Sequence, residues 1–107
     1  MITVTYHRKY HRITVDGHAA FDAMGKDIIC AAASMLTFTL ADRVLELCRN
    51  GQATSPITEL ENGKATVSCK PNSRYDAVTT LIFDSICNGY RLLSENYPEN
   101  IKFFIRG

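Results

Sequence analysis

The segments "ITVTYH" and "HRITVD", on either side of "RKY", alternate β-branched or aromatic residues with polar ones. A period of two marks half-buried strands, so residues 2–7 and 11–16 are expected to form a hairpin. The pattern is lost over residues 17–26, which contain Gly25 and are expected to form an irregular loop. From Asp27 to about Asn50 the period becomes helical, with Ile29, Ala33, Leu36, Leu40, Val44 and Leu47 on one stripe. Asp27 is suited to cap this helix and Gly51 to stop it. Ala31, Met35 and Phe38 form a second apolar patch, which either packs on another copy of the chain or lies under a loop of the same one.

In the second half, "TSPITELENGKATVSCKP" predicts two strands around Asn62-Gly63, a dipeptide suited to a type I′ turn with positive φ at both positions. A second helix is expected from about Tyr75 to Asn96, with Val78, Leu81, Ile82, Ile86, Gly89, Leu92 and Leu93 as its stripe. Pro98 ends it, and "NIKFFIRG" closes the chain as a strand. The expected fold is α+β in the order ββαββαβ, a mostly antiparallel five-stranded sheet covered by two helices on one face. The length of 107 residues suits a single domain over 1–107.

Twelve basic residues against 11 acidic ones give a net charge of +1, too balanced to suggest direct nucleic-acid binding. The start of the chain does not read as a leader, and no apolar run approaches the roughly 18 residues of a membrane span. A soluble, cytoplasmic protein is therefore expected. Cys30, Cys48, Cys69 and Cys87 form no Cys-x-x-Cys pair, which argues against zinc and thioredoxin-like chemistry, and no metal or other cofactor is expected. In a reducing compartment most of them should be small buried apolar residues.

Candidate chemistry concentrates in "DGHAAFDAMGKDIICAAAS", residues 16–34. A thiol is a useful nucleophile only as a thiolate, and a helix N-terminus or a nearby imidazolium lowers its pKa. With Asp27 as cap, Cys30 falls in the first turn, where unpaired amides are also suited to hold an oxyanion. Gly17 lets the backbone turn sharply before His18, and a returning loop would carry His18 toward that turn. Asp27 either caps the helix or orients His18. Ser34, one turn beyond Cys30, either faces the same cleft or bonds the carbonyl one turn back. Core packing for Cys30 and a surface position for His18 are the ordinary alternatives.

The two-part stretch "GHA" at 17–19 and "GKDIICAAAS" at 25–34 resembles the motif of the ribosomal-processing cysteine proteases called Prp. That motif reads Gly-His-Ala, a variable loop, then Gly-x-Asp-Ile-Val-Cys-Ala-Ala-Val-Ser. Ile29 and Ala33 stand where the family has valine, and "LLSENYPENIKF" is similar to the family's closing helix, proline and strand. The resemblance implies Cys30 as nucleophile, His18 as general base and ion-pair partner, and Asp27 as its assistant. Gly17 and Ser34 occupy the motif's remaining positions as substrate-binding candidates. It also implies a homodimer, and a substrate that is the short N-terminal extension of large-subunit ribosomal protein twenty-seven, cleaved during ribosome maturation. The alternative from another class is a non-catalytic peptide-binding module for ribosome assembly.

Overall fold

The structure, a computed structural model, describes residues 1–17 and 24–107, the side chains of residues 24–27 excepted. Strands β1 (Ile2–His7) and β2 (Arg12–Asp16) are followed by helix α1 (Met24–Arg49), β3 (Ala53–Glu61), β4 (Lys64–Pro71), α2 (Asp76–Asn96) and β5 (Ile101–Arg106). Single 3-10 turns lie at Arg8–Tyr10 and Ser73–Tyr75. The expected element order therefore holds. The five strands form one sheet in the order β3-β4-β2-β1-β5. β1–β2, β2–β4 and β3–β4 are antiparallel; β5, returning after α2, joins β1 in parallel and makes the sheet mixed.

Both helices cover the side of the sheet that carries Ile2, Val4, Tyr6, Ile13, Val67, Cys69 and Ile101, all buried. From α1 the predicted stripe is buried at Ile29, Ala33, Leu40, Val44 and Leu47, joined by Thr37 and Ala41. The stripe predicted for α2 is rotated. Thr79, Phe83, Cys87 and Tyr90 face the core and Ile82, Ile86 and Leu93 pack against it, whereas Val78, Leu81 and Leu92 are exposed. Aromatic contacts explain the choice: Phe83 stacks on Tyr6 with ring centroids 6.1 Å apart, and Tyr90 on Phe103 at 6.3 Å. Large rings bury more apolar surface than the aliphatic alternatives and gain from stacking as well.

Three further expectations are corrected. The helix expected after Asp27 begins at Met24, which puts Asp27 inside the first turn and Cys30 in the second. Methionine and lysine tolerate a helix well, and one glycine costs only about 1 kcal/mol, so burial of Ile29 and Ala33 carries the helix further back. At the Asn62-Gly63 turn only Gly63 has a positive φ, 80°, which is the sign pattern of a type II rather than a type I′ turn. Finally, Ile28–Arg49 is long and apolar enough to cross a membrane by length and composition, with a mean hydropathy of 1.6. The second apolar patch on α1 raises that mean, while the core stripe of the same helix packs on the sheet.

Candidate active site

A groove of about 370 Å³ opens between α1 and the tip of the β3–β4 hairpin. Cys30, Ser34, Thr37 and Phe38 form the helical wall; Leu60 through Ala65 form the opposite one. Ile2 and Val15 contribute apolar surface, and Gly17 lies at the end of β2 against it. The spacing Cys30, Ser34, Thr37 explains the helical wall, since residues three and four apart project from one flank of a helix.

Gly17 is held in a conformation that suits only glycine. Its φ is 93°, and a β-carbon there would collide with the carbonyl oxygen of Met1. Its N–H donates to the Gly63 carbonyl at 2.8 Å, so the hairpin tip and the end of β2 are fixed relative to each other. On the helical side, the Thr37 hydroxyl donates to the Ala33 carbonyl at 2.8 Å and accepts from the Tyr90 hydroxyl at 2.6 Å. This ties α1 to α2 directly below the groove. Burial pushes the Tyr90 phenol above its ordinary value and keeps it protonated as that donor.

The four thiols are sharply distinguished by their surroundings. Burial raises Cys48, and it pushes Cys69 up to about 11 and Cys87 up to about 12. These three are held as thiols near neutral pH and are poor nucleophiles. Cys30 is half-buried and borders the groove. Its place in the second turn of α1 leaves the unpaired helix-terminal amides one turn upstream of it, rather than at its own position.

Of the residues singled out from the sequence, Gly17, Cys30 and Ser34 come together at this groove. Ser34 is exposed there. His18 lies outside the described residues. Asp27 belongs to the helical backbone of α1 rather than to its cap, and its side chain also lies outside them. The hairpin tip as the second wall and Tyr90 as the support of Thr37 were not legible in the sequence. The Asn-Gly signal located the turn in the chain but not in space, and a tyrosine in a helix carries no sign of its partner. Among the described residues no group of three or more His, Cys, Asp or Glu could hold a metal ion.

The family model described as cysteine protease Prp matches residues 1–102. The chain is similar to an essential ribosomal processing protease Prp from Staphylococcus aureus, solved with a covalently linked product peptide. The two are 24% identical over 99% of this chain and 100% of that one, with a TM-score of 0.70. The same protease with a substrate peptide aligns at 20% identity over 98% and 97%, TM-score 0.69. SMU.848 from Streptococcus mutans is 25% identical over 97% and 90%, TM-score 0.67. These likenesses confirm the α+β fold. No curated protein sequence matches the chain.

Proposed function

The chain belongs to the cysteine protease Prp family, and from that premise we propose that it removes the short N-terminal extension of large-subunit ribosomal protein twenty-seven in the cytoplasm. The single observation that carries this reading is the convergence of Gly17, Cys30 and Ser34 on one groove of about 370 Å³. Cys30 attacks the scissile carbonyl as a thiolate, with His18 as its base and ion-pair partner. Amides of the first turn of α1 stabilise the tetrahedral oxyanion. His18 then protonates the leaving amine, and water, activated by the same imidazole, hydrolyses the thioester. Asp27 assists His18, and Ser34 binds the peptide. Cys30 borders the groove, whereas burial raises Cys48, Cys69 and Cys87 and opposes their thiolate forms.

The working unit in this reading is a homodimer. Ile28, Met35, Phe38 and Leu45 are exposed on α1, and Phe38 also borders the groove, so a partner docked there would adjoin the bound peptide.

Incubation of the protein with a peptide copying the ribosomal extension, read by mass spectrometry, tests the function. Cleavage at one bond by the wild type, abolished in Cys30→Ala and His18→Ala, is expected. Binding without cleavage by the wild type would replace it with the peptide-binding module.

A further inference from the structure

The balanced total charge conceals a segregated one. The chain has no Asp or Glu from Met1 to Val15, from Asn62 to Tyr75, or from Asn100 to Gly107. These segments supply β1, most of β2, all of β4 and β5, and both 3-10 turns. Because side chains alternate along a strand, the residues opposite Val4, Tyr6, Ile13 and Ile101 point away from both helices, onto a sheet face that no element among the described residues covers.

At one end of that face the register aligns three basic residues on adjacent strands. Arg12 pairs with His7, and His7 with Arg106. Neighbouring strands lie about 4.8 Å apart, so the row spans roughly 10 Å. Lys9 extends it at the same end, its Cβ within 3.4 Å of where a side chain on Gly107 would begin. The acidic residues that share this face, Asp16, Glu59 and Glu61, lie further along the strands toward its other end, while at this end Asp84 of α2 pairs with Arg8 at 3.0 Å and Asp76 lies 3.8 Å from His11. No ion pair engages Arg12, Lys9 or Arg106 among the described residues.

Aromatic rings are interleaved with these cations. Phe104 is 42% exposed with the Arg106 guanidinium 5.9 Å from its centroid, and Tyr10 is 63% exposed with the Lys9 ammonium at 5.9 Å. An acidic peptide or a lipid headgroup would use the charges but has no need of the rings. Nucleobases use both, stacking on exposed rings while cations follow the phosphates. We propose that the uncovered sheet face, through His7, Lys9, Arg12 and Arg106 with Phe104 and Tyr10, binds single-stranded RNA. This surface is separate from the peptide groove, so the inference stands apart from the proposed protease activity.

The test is fluorescence anisotropy of the full chain with a labelled single-stranded RNA of about a dozen nucleotides, at about 50 and about 200 mM salt. Engagement of three phosphates predicts a roughly twentyfold loss of affinity across that range, from a slope of about −0.7 per phosphate. Arg12→Ala with Arg106→Ala should weaken binding about tenfold or more and flatten the slope to roughly a third. Phe104→Ala should weaken binding about tenfold while leaving the slope intact. Peptide cleavage and the thermal melt should not change in the paired arginine variant. Absence of binding at low salt, affinity indifferent to these substitutions, or equally tight binding of polyglutamate or anionic vesicles would overturn the proposal.

Discussion

The N–H of Gly17 donates to the carbonyl of Gly63 across 2.8 Å, joining the end of β2 to the tip of the β3–β4 hairpin. One wall of the groove is thereby fixed to the chain segment that leads into His18. Gly17→Ala would combine a positive φ with a collision against the Met1 carbonyl. We expect a loss of about 2 kcal/mol of stability, as for a side chain forced into the left-handed region. Peptide cleavage should fall more steeply than folding, because the displaced strand end carries the proposed base. Denaturant unfolding and cleavage rates on the same samples check both parts.

Thr79 faces the core from α2, and its hydroxyl finds no hydrogen-bond partner among the described residues. Burying an unpaired hydroxyl is unfavourable, while valine has nearly the same shape. Thr79→Val should therefore stabilise the protein by about 1 kcal/mol, raising the thermal midpoint without altering cleavage.

The Asp84 carboxylate is held below its ordinary value, first by the hydrogen bond from Arg8 and then by that from Tyr6, against the opposing effect of burial. The Tyr6 hydroxyl donates at 2.7 Å and Arg8 donates through two nitrogens, at 3.2 and 3.0 Å. A depressed carboxyl contributes stability above its unfolded pKa of about 3.9, and that contribution is lost as the pH falls through the folded value. The pair with Arg8 is substantially solvent-exposed, so Asp84→Asn should cost about 1 kcal/mol at neutral pH. The gap from wild type should close as the pH drops below about 4. Urea titrations across that interval would reveal it.

The local signals in the chain were legible where one residue's physics decides the outcome. Period-two alternation located β1 and β2, and the Asn-Gly pair located the β3–β4 turn. The helical stripe of α1 emerged because its apolar residues repeat at the helical period along one face, even beside the second apolar patch. The stripe of α2 emerged only in part, at Ile82, Ile86 and Leu93, since its burial is decided by Tyr6 and Phe103 on distant strands, which draw Phe83 and Tyr90 inward. Gly17, Cys30 and Ser34 were legible as a motif, but the wall opposite them depends on a main-chain hydrogen bond between Gly17 and Gly63. The basic sheet face was hidden for a related reason. Arg12, His7 and Arg106 become neighbours only through strand register, and a net charge sums over that arrangement.

Graded alkylation distinguishes Cys30, the proposed nucleophile, from the other three thiols. The protein is treated with substoichiometric iodoacetamide near neutral pH. Each of the four cysteines is then quantified by peptide mapping, and residual peptide cleavage is measured on the same samples. Cys30 should be modified first, and cleavage should fall in proportion to its modification. Cys69 and Cys87, buried and raised in pKa, should react only after unfolding. Full cleavage by protein alkylated at Cys30, or a loss that follows Cys48 instead, would contradict Cys30 as the nucleophile.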